Sequence, residues 1–375
     1  MQMINSVKSK DPTLIVGGGP AGASCAWKLA SAGIPCILID KAVFPRDKVC
    51  GGALSARTAE ILTRSGILPA EELEAQTLAE HSTMSLWNRD ELLRTFTSPD
   101  THILIISRRN FDNTLLDKAA MAGASIITGD AVVSVDSSSV TTSTGKRYFF
   151  SNLVGADGYG SLVRKCISGK RGKGTGMGLE YFIPLTDLND KLEDIQIHFG
   201  YFPCGYIWVI PDREKVNIGA GAVGSPASPS DITGALNGFL SARGISCDKY
   251  QLHGAPIPSR ELERNLGQRN IYLTGDAAGL VDHISGEGIG HAVQSGFMVA
   301  DCIHSGGDRR TFLNRKNCCI SIVRQSIFYR HLLFSPFTRR IAMMGLRDNE
   351  EYVQGYWNVI SGTESYNEMF RRLLI

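Results

Sequence analysis

The sequence predicts an α/β chain with α+β inserts. A parallel-sheet domain is assembled from discontinuous segments and joined by an antiparallel-sheet domain and a helical C-terminal region. Three observations carry this. A βαβ unit opens the chain, from Thr13 to Asp40. A second apolar strand running into a loop with an acid recurs far downstream, at Ile271-Tyr272-Leu273-Thr274-Gly275-Asp276. Antiparallel strand material lies between them. One domain built from distant pieces explains this better than two domains in series. The expected division is 1–80, 107–176 and 252–305 for the first domain, 81–106 and 177–251 for the second, and 306–375 for the helical region.

The elements follow in order. Thr13–Val16 is an apolar β run ending in Gly17-Gly18-Gly19-Pro20-Ala21-Gly22; a helical pattern from Ala23 to Ala32 stops at Gly33, and Cys36–Ile39 is a second strand closed by Asp40. Ser55–Ser65 and Arg109–Ala122 read as helices. Thr83–Trp87, Leu92–Thr97, Ile103–Ser107, Ser125–Ile127, Val132–Asp136 and Leu153–Ala156 read as strands. The Gly- and Lys-rich stretch Gly169–Gly178 has no strand before it and reads as a mobile loop. Four strand-like runs follow between Met177 and Val223, and the tail from Arg309 onward looks helical.

Composition bounds the rest. The 375 residues exceed the size at which one core stops growing, and 43% hydrophobic content is ordinary for a globular protein. Lys and Arg number 39 against 37 Asp and Glu, which gives no electrostatic case for nucleic acid. The segment Met1–Asp11 lacks the apolar core of a signal peptide, and no apolar run approaches the ~20 residues needed to span a bilayer. Nine cysteines without a Cys-x-x-Cys pair fit neither a zinc site nor a disulfide framework. The expectation is a cytoplasmic protein without a metal, at most peripheral to a membrane. Between Ser305 and Ile375 eleven basic residues face six acidic ones. Such a basic amphipathic tail can rest on an anionic membrane or cover the apolar floor of the second domain.

The strongest motif is Gly17-x-Gly19-x-x-Gly22, placed after a strand and at the start of a helix. The first glycine permits the tight turn, the second lets backbone approach a pyrophosphate, and the third lets helix and sheet pack. The helix start at Pro20-Ala21 aims unpaired N–H groups at phosphate. Asp40, eighteen residues after Gly22, suits a ribose diol. This Rossmann-like fingerprint fits NAD and FAD alike. Val154-Gly155-Ala156-Asp157-Gly158 adds a strand-to-turn acid. Asp276 adds another, which an NAD domain does not need but the ribityl chain of a flavin does.

Together the three motifs resemble the FAD-binding superfamily of aromatic hydroxylases, flavin halogenases and geranylgeranyl reductases. That resemblance implies Asp276 at the ribityl chain, Arg109 near the cofactor and the Val132 backbone near the adenine. Lys41, Arg46, Gly51 and Asp157 complete the expected cofactor set. Lys48-x-Cys50-Gly51-Gly52, Tyr206-x-Trp208-x-Ile210-Pro211, Val216-Asn217-Ile218-Gly219, Gly286-Glu287-Gly288-Ile289 and the tail Val359–Gly362 with Ser365-Tyr366 are similar to the geranylgeranyl reductase family. Departures are His283, where that family has Pro, and Gly279, where aromatic hydroxylases have His. The Tyr-x-Trp-x-Ile-Pro strand is close to a halogenase motif, but Lys48 lacks the context of a halogenase lysine.

The implied activity is reduction, or dehydrogenation, of C=C bonds in an apolar, isoprenoid or lipid-like substrate by hydride transfer at flavin N5. Gly286, Gly288 and Ile289 would bring backbone and a helix start to the reduced ring. Cys50 is expected beside the isoalloxazine, tuning it or merely packing there. His283 is the second candidate catalytic group. Tyr206 and Trp208 alternate on a strand and share a face, which suits either a long apolar chain or core packing. Without a second Gly-x-Gly-x-x-Gly domain, the electron donor stays open between NAD(P)H and a ferredoxin-like redox partner protein. Two other classes stay in play: an oxygen-using hydroxylase or halogenase, and a non-catalytic electron-transfer flavoprotein.

Overall fold

The structure is a computed structural model describing residues 11–169, 176–188, 191–222, 227–257, 262, 266–306, 319–335 and 337–372. Most of the glycine- and lysine-rich stretch 169–178, read above as a mobile loop, lies outside these residues, as does the start of the tail at 307–318.

A six-stranded sheet has the order Gly267–Gln268, Ile271–Leu273, Asn152–Gly155, Thr13–Val16, Cys36–Asp40, Ser125–Thr128. All neighbours are parallel except the edge hairpin Gly267–Gln268 with Ile271–Leu273. The central strand Thr13–Val16 is buried throughout, as a parallel strand covered on both faces must be. Its strands come from three separated parts of the chain. Helices Pro20–Ser31 and Ile289–His304 cross in close contact, because Gly296 carries no side chain. A Cβ there would lie 2.3 Å from the Ala21 carbonyl oxygen.

A seven-stranded sheet has the order His253–Ile257, Gly176–Pro184, Lys215–Ala222, Gly205–Pro211, Ile195–Phe199, Thr83–Asn88, Glu91–Thr97. It is antiparallel except for Ile195–Phe199 against Thr83–Asn88. Alternation sorts its faces. Leu179, Tyr181, Ile207, Val209, Val216 and Ile218 pack on helix Pro229–Ser241 through Ile232, Leu236 and Phe239. On the outer strands Leu86, Ile197 and Phe199 pack on the tail helices through Leu333, Phe334, Met343, Leu346, Tyr356 and Trp357. The described tail is therefore helical and covers the floor of this sheet, the second of its two expected roles. It leaves Phe328, Phe337 and Ile341 exposed. No described helix is long and apolar enough to cross a membrane.

Helix Pro229–Ser241 was not anticipated. Its start carries a capping box: Ser228 accepts from the Asp231 N–H and the Asp231 carboxylate accepts from the Ser228 N–H. Gly234 and Gly238 dilute the helical pattern behind that cap.

Candidate active site

The glycine turn is held by its own backbone. Gly17 sits at φ +108°, and a Cβ there would lie 2.2 Å from the Ala156 oxygen; one on Gly22 would lie 1.9 Å from the Gly17 oxygen. Helix Pro20–Ser31 starts at Gly19 without a side-chain cap. Its first N–H groups lie beside a cavity that Gly17, Gly19, Pro20 and Ala21 line. The Asp40 carboxylate accepts from the N–H of Gly18 (2.6 Å) and of Ala42 (2.7 Å), tying the two strand ends together.

That cavity, about 1040 Å³, is the central feature of the molecule. It continues past Lys41, Arg46, Val132, Asp157, Asp276, Cys50, Gly51, Gly286, Gly288 and Ile289. It then passes Tyr206 and Trp208 into an apolar chamber bounded by Met84, Ile195, Ile197, Phe334, Tyr356 and Ile360. All but two of the sequence-identified site residues thus line one space.

The exceptions are Gly22, which packs against the Gly17 backbone, and Arg109. Arg109 is half-exposed and pairs with Asp47 at 3.2 Å. Arg108, the first residue of helix Arg108–Met121, lines the cavity instead. Each helical residue turns roughly 100° from the last, so with Arg108 facing the cavity its neighbour points away. Arg108 holds the fully buried Asp112 through two 2.8 Å bonds, and Arg46 reaches the same carboxylate at 3.1 Å. Arg46 also lies 4.9 Å above the Phe44 ring, and its Nη1 is buried without a partner.

Other groups divide by what already holds them. Both Asp157 oxygens are taken, by Ser161 Oγ (2.5 Å) and by the N–H groups of Leu162 (2.6 Å) and Val163 (3.2 Å), so Asp157 caps helix Leu162–Ser168. Burial raises the Asp276 carboxyl against the opposing pull of Lys48 and Arg108. His283 is buried. Its Nδ1 meets Arg330 Nη1 at 2.9 Å, and its Nε2 has no partner. Arg330 can only donate, so His283 Nδ1 is the acceptor and the ring is neutral. Burial and Arg330 push its pKa down to about 3. Glu287 also lines the cavity, and its Oε1 accepts from Ser55 Oγ (2.7 Å) and Thr58 Oγ1 (2.9 Å), which braces the turn on which Gly286 (φ +75°) and Gly288 sit.

On the sheet face, the Tyr206 hydroxyl donates to the Ser285 carbonyl at 2.6 Å, and its ring meets the Trp208 ring edge-on at 6.3 Å. The Trp208 indole lies on backbone. A Cβ at Gly219 would come within 2.3 Å of it, and Gly178 and Gly221 also lie under it. Trp208 Nε1 donates to Asn217 Oδ1 at 2.5 Å.

Sequence reasoning missed Arg108 and Glu180. Glu180 lines the cavity, is 1% exposed, and accepts the Cys50 N–H at 2.8 Å. Cys50 Sγ accepts from the Gly52 N–H at 3.4 Å. A lone acid in the otherwise apolar run Leu179–Ile183 was the available signal.

These features fit a dinucleotide cofactor. An uncapped helix start, a glycine cradle that side chains would fill and an orphaned buried guanidinium N–H all converge where a pyrophosphate would lie.

Residues 10–195 match a family described as FAD binding domain. The chain is 28% identical over 323 residues to a menaquinone reductase of Mycolicibacterium smegmatis, covering 80% of this chain and 78% of that one. It is 27% identical over 375 residues to a chloroplastic geranylgeranyl diphosphate reductase of Arabidopsis thaliana, covering 91% and 78%. Its fold matches that of a geranylgeranyl bacteriochlorophyll reductase-like protein from Thermoplasma acidophilum, with a TM-score of 0.68 and 19% identity, covering 96% and 98%. A flavin-dependent brominase shares the fold at a TM-score of 0.62 and 16% identity, covering 92% and 87%. Residues 10–195 thus carry an FAD-binding domain of the kind found in FAD-dependent oxidoreductases, and the chain is similar over most of its length to geranylgeranyl and menaquinone reductases.

Proposed function

We propose that this chain is an FAD-dependent reductase that saturates C=C bonds of a prenyl chain, with electrons from an external donor of nicotinamide or ferredoxin class. The observation that carries it is the continuity of the cavity. The glycine cleft opens past Cys50–Gly52 and Gly286–Ile289 into a chamber of aliphatic and aromatic side chains. Its volume reaches the top of the ~300–1,000 Å³ range for single-ligand sites, which suits cofactor and substrate together. Relatives named for geranylgeranyl diphosphate and for menaquinone agree with an isoprenoid substrate.

In this reading Gly17–Gly22 and Arg46 hold the pyrophosphate, Asp40 the ribose, Ala131 and Val132 the adenine side, and Asp276 the ribityl chain. When bound and reduced, FAD supplies a hydride from N5. The start of helix Ile289–His304 holds negative charge at the ring through its free N–H groups, an effect of roughly 0.3–2 kcal/mol. Tyr206 and Trp208 orient the prenyl chain, while Phe334, Tyr356 and Ile197 keep water from it. His283 is neutral and its Nδ1 faces a guanidinium, so it orders its loop against helix Cys319–Phe334.

The test is an anaerobic single turnover. Protein loaded with FAD and reduced by dithionite is mixed with a geranylgeranyl or menaquinone substrate. The expected outcome is flavin reoxidation with a product heavier by two hydrogens per bond reduced. Reoxidation only on admitting oxygen, with a hydroxylated or halogenated product, would overturn the proposal in favour of an oxygen-using enzyme.

A further inference from the structure

Saturating a C=C bond adds two different hydrogens. One carbon takes the hydride; the other needs a proton, and an unactivated prenyl alkene demands a strong acid to give it. We infer that Glu180 is that acid, its carboxyl forming part of the wall against which the prenyl chain lies. This rests on the reductase reading above.

The geometry singles it out. Glu180 lies on strand Gly176–Pro184, with its Cα opposite Gly219 in the register that also places Trp208 opposite Gly219. It therefore shares the sheet floor with the two aromatics that face the cavity. Its Oε1 is pinned by the Cys50 N–H, so the carboxyl sits where the sheet meets the Cys50–Gly52 loop. Other groups on the wall are poorer donors. The Tyr206 hydroxyl is committed to the Ser285 carbonyl, and burial raises its pKa. His283 has no second proton. Asp276 stands on the dinucleotide side, on the turn Gly275–Ala278. In general an ammonium or a thiol is a weaker acid than a carboxyl by roughly four or more pKa units.

Burial also raises Glu180, opposed by Asn217, the Cys50 N–H, Lys48 and Arg108. Burial thus favours the protonated carboxyl relative to a solvated glutamate. The step balances. The alkene π pair takes the Glu180 proton to form one C–H bond, and the hydride supplied by reduced FAD forms the other. FAD leaves oxidised, and Glu180 leaves as a carboxylate that water reprotonates.

Glu180→Gln separates this from a merely structural role, because the Gln carbonyl oxygen still accepts the Cys50 N–H. The expected result is unchanged FAD affinity with single-turnover alkene reduction slowed about 10²–10⁴-fold. Glu180→Asp should recover part of the rate. A protonated acid works below its pKa, so the wild-type rate should fall as pH rises through it, and the Gln variant should lack that fall. A second readout needs no turnover: the infrared spectrum of oxidised wild-type protein at pH 7 should contain a protonated carboxyl band that Glu180→Gln removes. Equal rates in wild type and Glu180→Gln, or no such band at pH 7, would overturn the assignment. If Glu180→Gln does not fold, a Glu180→Asp variant with an unaltered rate and no protonated band assignable to position 180 would overturn it as well. A wild type that reduces no alkene would instead defeat the reductase reading, while the infrared band would still report the proton on Glu180.

Discussion

Two carboxylates near the cavity are tied down by their neighbours, while two buried nitrogens are left without a hydrogen-bond partner. Asp112 is fully buried and is gripped by Arg108 and Arg46. Asp157 spends its oxygens on a helix start. Arg46 Nη1 and His283 Nε2 have no such partner. His283 also gives a pH prediction. Its folded pKa is about 3 against 6.5 when free. Above pH 6.5 it is neutral in both states and adds no pH dependence. As pH falls from 6.5 toward 3 the unfolded chain binds a proton that the fold refuses, so stability declines. At pH 5 the loss is about 2 kcal/mol, taking ~1.4 kcal/mol per pH unit. Urea unfolding at pH 7 and pH 5 should show that His283→Gln loses less stability across this interval than the wild type. Equal losses would contradict it.

At the scale of elements, glycine decides where side chains can lie. Strand Lys215–Ala222 alternates Asn217, Gly219 and Gly221 on the cavity face, and the two glycines make the flat bed on which the Trp208 indole rests. Gly219→Ala puts a methyl group 2.3 Å from the ring and must push it off the sheet. The expected cost is about 1–3 kcal/mol in urea unfolding. Prenyl reduction should be slowed and FAD affinity kept, since the dinucleotide cleft lies on the other sheet. Unchanged stability and rate would contradict the role given to this bed. These elements also show why some of the site was legible in advance and some was not. The demands of the Gly17–Gly22 turn are local, so its spacing alone revealed it. The Tyr206–Trp208 alternation was equally local. Arg108 and Glu180 matter only through partners brought from elsewhere, Arg46 beside Asp112 and the Cys50 loop beside strand Gly176–Pro184. No local spacing encodes those meetings. Arg109 was chosen over Arg108 because adjacent arginines at a helix start cannot be ranked until the helix is docked.

At the scale of the whole molecule, the chain crosses between its two large sheets several times, and residues of both line the cavity. Strand ends from three separated segments supply Gly17, Asp157 and Asp276, the second sheet supplies Tyr206 and Trp208, and the tail supplies Phe334 and Tyr356. The proposed reaction therefore requires that one cavity hold both a flavin and an apolar chain. Native mass spectrometry of the purified protein tests this most directly. The expected spectrum shows one FAD per chain and, after incubation with a prenylated quinone, a further mass equal to that lipid on the same FAD-bearing ion. A chain that stays at its polypeptide mass after incubation with excess FAD, or takes up FAD and lipid only in exchange for one another, would contradict it.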